Sequence, residues 1–288
     1  MFAITAITGR VGGELANTLL DTGKSIRAVV RDKSKGPSWA AKGCEVVVAD
    51  LEDAESLTEA LRGVEGVFIL FPPIYDSEPT FPELLPRIDA VRRALIQARP
   101  GKVVVLSTIG AEATQPNLLN ALGMVEAALA DVMLPITFLR AAWFIENAEW
   151  DVASARDEGV LHSYLQPLDH EVPMISTVDV GRTAAALLME HWDGHRIVEL
   201  EAAERVTPHQ MAAAFGRALG RDVRAQVVPR EQWEVIFRQQ GMRHPTPRMQ
   251  MIDGFNEGWI DFKDRGAHAR KGQVTLDDAI TRLIERKG

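Results

Sequence analysis

The chain has 288 residues, 46% of them apolar, enough for one large α/β domain with a smaller appendage. Its formal net charge of −8 excludes a nucleic-acid reader, which needs a lysine- and arginine-rich face. Its basic residues are scattered, and the tightest cluster, Arg265 to Lys271, is expected to be a solvated loop.

No apolar run approaches the ~20 residues that span a bilayer, so no membrane role is expected. The start, Met1 to Thr5, is too short for a signal peptide and runs into a glycine loop, which points to a cytoplasmic protein. One cysteine, Cys44, excludes an intrachain disulfide and a cysteine-built zinc site. It stands before the apolar run Val46-Val47-Val48 and is expected to be a buried, inert thiol.

Short apolar runs alternate with amphipathic stretches through the first 140 residues. The expected strands are Phe2 to Thr5, Ile26 to Val30, Glu45 to Val48, Gly66 to Phe71, Val103 to Leu106 and Ile136 to Leu139. They are continuous apolar runs rather than alternations, as in parallel strands covered on both faces. Helical stripes lie between them: Val11, Leu15, Leu19; Leu57, Leu61; Leu84, Ile88, Val91, Leu95; and Leu118, Leu122, Val125, Leu129, Val132. This alternation predicts right-handed βαβ units and a Rossmann-type, doubly wound parallel sheet, an α/β fold.

After about Trp150 the rhythm changes to helices separated by longer polar loops. Thr207-Pro208-His209-Gln210 is a capping box that starts a helix through Leu219, and Thr275 with Asp278 opens a last helix. Gln166 to Pro173 and Gly241 to Pro247 read as loops. Residues 1–150 are therefore expected to form a cofactor domain, and 151–288 a smaller substrate-binding lobe packed over it.

The first strand leads into Ala6-Ile7-Thr8-Gly9-Arg10-Val11-Gly12 and then a helix. The spacing is that of a dinucleotide fingerprint with Ala6 at the first glycine position. The second glycine lets backbone amides approach a pyrophosphate, the third permits close helix–strand packing, and the helix N-terminus favours the negative charge. Thr8, Gly9, Arg10, Val11 and Gly12 are thus candidate cofactor-binding residues, with Arg10 as a direct phosphate contact. Alanine at position 6 departs from the pattern and costs if that turn needs a positive φ.

The end of the second strand discriminates between cofactors. An acidic residue there would hold a ribose 2′-hydroxyl; this chain has Arg31, which suits the 2′-phosphate of NADP(H). Asp32 is the competing acid and is expected to cap the following turn.

Ile4-Thr5, Thr8-Gly9, Val11-Gly12, Arg31, Asp50-Leu51, Leu106-Ser107 with Gly110, and Leu139-Arg140 with Phe144 and Asn147 together resemble the NmrA-like group of atypical short-chain dehydrogenases/reductases. The resemblance implies that Asp50 and Leu51 flank the adenine and that Phe71-Pro72-Pro73 lines the cofactor. It also implies that Ser107 to Gly110 lies near the nicotinamide, and that Trp143, Phe144 and Asn147 face a small-molecule substrate. Ordinary core packing for Trp143 and Phe144, and an interhelical hydrogen bond for Asn147, remain open beside those roles. The group holds NADPH-dependent quinone reductases, other reductases, and non-catalytic regulators that sense the nicotinamide redox state. A homodimer is left open.

Typical short-chain dehydrogenases protonate a carbonyl oxygen with a tyrosine whose pKa is lowered by a lysine four residues on. Tyr75 is followed at that spacing by Pro79 and Tyr164 by Leu168, and no lysine lies between Lys102 and Lys263. That dyad is absent and no catalytic residue is assigned. The remaining weak donors are Ser107, Thr108, His162 and His170, the two histidines being expected in solvent. No metal site is expected: His191 and His195 are four apart, but Asp193-Gly194 breaks the helix such a pair needs. Two readings stand: an NADPH-dependent reductase of quinone-like or other electron-poor molecules, and a non-catalytic NADP(H) redox sensor.

Overall fold

The computed structural model describes residues 1–286. The apolar runs become β1 (Phe2–Ile4), β2 (Ile26–Val30), β3 (Glu45–Val48), β4 (Gly66–Ile69), β5 (Val103–Thr108) and β6 (Ile136–Ala141). Between them lie α1 (Arg10–Asp21), the short α2 (Pro37–Ala40), α3 (Ala54–Leu61), α4 (Leu85–Ala98) and α5 (Asn120–Leu129). Val11, Leu15 and Leu19 of α1, and Leu57 and Leu61 of α3, are buried as their spacing requires. The α5 stripe is longer than its helix: Leu118 and Val132 lie beyond the helix ends, though both are buried.

The chain continues with β7 (Trp143–Phe144), α6 (Val152–Asp157), β8 (Val160–Ser163), β9 (Met174–Ile175), α7 (Thr177–Met189) and β10 (His195–Glu201). It ends with α8 (Pro208–Leu219), β11 (Arg224–Val227), α9 (Trp233–Gln239), α10 (Thr246–Glu257), β12 (Arg270–Lys271) and α11 (Leu276–Glu285). Thr207 and Gln210 form the capping box of α8, and Thr275 caps α11.

Among the described residues the main sheet has eight strands in the order β3-β2-β1-β4-β5-β6-β10-β12. All its pairings are parallel, and Ile4 of β1 faces Ala28 of β2 on one side and Phe68 of β4 on the other. This is the doubly wound Rossmann arrangement, and its strand order reverses between β1 and β4. The central strands are covered on both faces. β3 is an edge strand, and Glu45 and Val48 are exposed there.

The sheet crosses the boundary expected near residue 150, because β10 and β12 lie beyond it in sequence. α7 also packs on α1, where a Cβ at Gly181 would sit 2.9 Å from the Val11 carbonyl oxygen. The remaining later elements, including the parallel pair β8–β11, form a cap whose buried Phe215, Trp233 and Phe237 are continuous with the sheet's core.

Two expected loops are altered. Thr246 and Pro247 already belong to α10, with Pro247 in the first turn, where its missing N–H costs nothing. Arg270 and Lys271 are not loop but edge strand, and their cations pair with Glu190 (2.8 Å) and Glu201 (2.5 Å).

Candidate cofactor and acceptor site

At the switch point Thr5 locks β1 to β4: its Oγ1 donates to Phe68 O (3.2 Å) and accepts from Leu70 N (3.1 Å). The turn that follows carries the strain its sequence implies. Ala6 has φ 49°, left-handed backbone that an alanine adopts at a cost. Gly12 has no alternative, since a Cβ there would lie 2.4 Å from Ala6 O. α1 starts after Gly9 with no side-chain cap and no acid in its first turn. Its leading N–H groups are therefore left for an anion. Thr8 and Gly9 are exposed, Val11 is buried in the core, and only the backbone of Val11 is available to a ligand.

Arg10 is not left for the phosphates alone. Its Nη2 donates to Glu149 Oε2 at 2.6 Å and its Nη1 to Glu146 O at 3.4 Å. Arg31 is exposed at the end of β2 and makes no ion pair among the described residues. Asp32 accepts from Ser34 N (2.8 Å) and Ser34 Oγ (2.7 Å), which caps the Lys33–Lys35 turn. Those hydrogen bonds hold the exposed Asp32 carboxyl below its ordinary pKa. An uncapped helix start beside a free guanidinium fits a dinucleotide carrying a 2′-phosphate.

Beyond β3, Asp50 accepts from Glu52 N (3.0 Å), and Leu51 is half-buried. Phe71 is buried after β4 and Pro72 exposed beside it. At the end of β5, Ser107 is buried and its Oγ donates to Glu126 Oε1 at 2.5 Å. Arg140 of β6 grips the same carboxylate with Nε (2.9 Å) and Nη2 (2.7 Å), and also pairs with Glu112. Glu126 thus neutralises a buried guanidinium and accepts the Ser107 hydroxyl's hydrogen bond, so Ser107 is not a free donor. Its motif neighbours did not mark Glu126; the signal was an acid on the inward stripe of α5.

Neither tyrosine nor lysine occurs in α5. His162 is exposed, 3.9 Å from Glu158. His170 departs from the solvated expectation, because its Nε2 meets the Phe255 carbonyl at 2.9 Å and ties its loop to α10. Cys44 is buried, and burial raises its thiol pKa. No cluster of metal-ligating residues is present among the described residues.

Trp143 and Phe144 are half-buried in β7. The Trp143 ring stands edge-on to Phe255 of α10, centroids 5.1 Å apart. Asn147, in the 3-10 stretch Ile145–Asp151, is exposed and makes no interhelical hydrogen bond among the described residues. Farther along that stretch, burial pushes the Asp151 carboxyl up to about 7.

The NmrA-like family model matches residues 2–261. The chain belongs to the NmrA-like family. An NAD(P)H azoreductase of Xenophilus azovorans is 26% identical over 248 residues, covering 84% of this chain and 82% of that one. Quinone oxidoreductase 2 of Escherichia coli is 26% identical over 244 residues, with 84% and 82% covered. The crystal structure of an NADPH-dependent quinone oxidoreductase from Escherichia coli, complexed with NADPH, superposes with a TM-score of 0.80 at 26% identity. It covers 98% of this chain and 99% of that one. Among the described residues no helix is long and apolar enough to cross a membrane.

Proposed function

We propose that this NmrA-like protein binds NADP(H) and reduces quinone-like or other electron-poor small molecules. The observation that carries the reading is the exposed Arg31, without an ion pair among the described residues, at the end of β2, the strand beside β1, which leads into the uncapped start of α1. Its NADPH- and NAD(P)H-using relatives support the same class of reaction. Thr8 to Gly12 would hold the pyrophosphate through backbone N–H groups. Asp50 and Leu51 would flank the adenine, and Phe71, Pro72 and the Ser107 strand end would bound the nicotinamide. Trp143, Phe144 and Asn147 would face the acceptor, under the cap built from the later elements.

NADPH supplies a hydride when bound; a quinone takes it with one proton from water and leaves as hydroquinone beside NADP⁺. Such an acceptor spreads the incoming charge over its ring, so a strong general acid is dispensable. The absence of a tyrosine–lysine pair is then no obstacle, and positioning the acceptor supplies most of the acceleration. Simple aldehydes, whose alkoxides need a proton in the transition state, should be poor substrates.

The test is NADPH consumption against a panel of quinones, azo aromatics, nitro aromatics and one aldehyde. Quinone or azo turnover with little aldehyde reduction is the expected result. Efficient aldehyde reduction would mean a general acid is present after all. Tight NADPH binding with no turnover on any acceptor would replace the reductase with a redox sensor.

A further inference from the structure

α10 and the loop that leads into it are tied to the segments after β4 and β5. The Asp76 carboxylate, in the loop after β4, accepts from Arg243 N (2.9 Å) and His244 N (2.6 Å). Pro247 O accepts from Leu118 N at 2.9 Å, which ties the helix start to the segment after β5. Residues seven apart share one face of a helix, so Arg248 lies on the face of Phe255. Phe255 is buried against Trp143, and Arg248 lies roughly 10 Å nearer the helix start.

Among the described residues Arg248 has no counter-ion. Its guanidinium stacks 4.3 Å over the Phe237 ring, and its Nη1 reaches only Met242 Sδ, at 3.6 Å. Among the described residues it is the one arginine that is neither exposed nor in a salt bridge. Burial lowers its pKa, and the two hydroxyls that oppose this are those of Tyr164 and Tyr75, the chain's only tyrosines. Two acids face those tyrosines rather than the guanidinium: Glu149, which faces Tyr75 and is paired with Arg10, and Asp151, which faces Tyr164.

A part-buried charge without a partner costs stability, and a fold that keeps one has left the place for a ligand. With Phe237 behind its face, the guanidinium presents its donor edge, a fork that matches carboxylate, sulfonate or phosphate oxygens. Tyr75 and Tyr164 add hydroxyl donors beside it.

We propose that Arg248 binds an anionic substituent of the acceptor, so that the site selects negatively charged acceptors over neutral ones. This rests on the reductase reading above and names its substrate class. The acceptor would lie between the Trp143–Phe255 pair and Arg248, its charged group toward the start of α10.

The test compares kcat/KM for 1,4-naphthoquinone-2-sulfonate and 1,4-naphthoquinone, with saturating NADPH, in the parent, Arg248→Met and Arg248→Lys. Taking the sulfonate-to-neutral ratio across proteins cancels the intrinsic reactivity of the two quinones. The ratio should fall more than tenfold in Arg248→Met and less in Arg248→Lys, which keeps the charge but not the fork. Calorimetry of naphthalene-2-sulfonate with the NADPH-loaded protein should show a matching loss of affinity. The melting temperature of Arg248→Met should hold or rise, since an uncompensated charge has gone, whereas a structural arginine would lower it. Should Arg248→Met fail to fold, Arg248→Lys and Arg248→Gln give the same ratio and overturn the proposal if it does not move. An unchanged ratio with unchanged sulfonate affinity overturns it, as does a tenfold loss of NADPH affinity, which would give the guanidinium to the cofactor. Should neither quinone be reduced, the reductase reading fails, and the calorimetry alone decides the anion site.

Discussion

Arg10, the first residue of α1, and Glu149, on the segment that leads into the cap, form an ion pair at 2.6 Å. The glycine turn is thereby tied to the chain that carries Trp143 and Phe144. The same guanidinium stands on the first residue of the helix whose leading amides would hold a pyrophosphate, so Glu149 competes with the cofactor for it. Both side chains are about one-third exposed, at 34% and 27%, so the competition is modest, of order 0.5–1 kcal/mol. Glu149→Gln should tighten NADPH binding about two- to fivefold at low ionic strength, and the gain should shrink in high salt. Calorimetric titration at two salt concentrations checks this; weaker binding in Glu149→Gln would mean the pair builds the site.

Arg31 decides the cofactor. An exposed guanidinium gripping a 2′-phosphate is worth about 1.5–3 kcal/mol, so NADPH should bind more than tenfold tighter than NADH. Arg31→Ala should erase the difference while NADH affinity stays nearly constant. Equal affinities in the parent protein would remove this role from Arg31.

The turn gives a paired prediction. Ala6 holds φ 49°, so Ala6→Gly relieves strain of about 1 kcal/mol, offset by a similar loss of chain entropy. Stability and NADPH affinity should stay level or improve slightly. Gly12→Ala should abolish binding or unfold the turn, because its Cβ would meet Ala6 O at 2.4 Å. Melting curves with and without NADPH read both variants, and a marked loss in Ala6→Gly would show that the turn uses the alanine methyl.

Asp151 sets a pH dependence. Burial raises its folded pKa to about 7 from the ordinary 3.8. Between those values the unfolded chain gives up a proton that the folded chain keeps, so the folded state loses stability as pH rises. The contribution is fully present below about pH 4 and gone above about pH 7. Asp151→Asn should raise the melting temperature much more at pH 8 than at pH 4.5. For a chain of this size each kcal/mol is worth about 2–4 °C. Thermal melts at the two pH values test this, and equal shifts at both would show that Asp151 is not the titrating group.

The fold and the cofactor turn were legible in the residues themselves because both rest on local rules. The stripe Val11-Leu15-Leu19 must bury one helix face, Gly12 must lack a Cβ, and Arg31 follows directly on a strand end. Asp32 likewise caps a turn two residues away. β10 escaped notice because His195, Arg196, Glu199 and Glu201 interrupt its apolar residues, and only the neighbouring β6 makes it a strand. The site's polar partnerships were decided by tertiary structure alone. Arg10 and Glu149 are 139 residues apart, His170 and Phe255 85 apart, and Ser107 and Glu126 sit on different elements. A charged side chain carries no periodicity that names its partner; which arginines are neutralised, and that Arg248 is not, depends on which elements the core brings together.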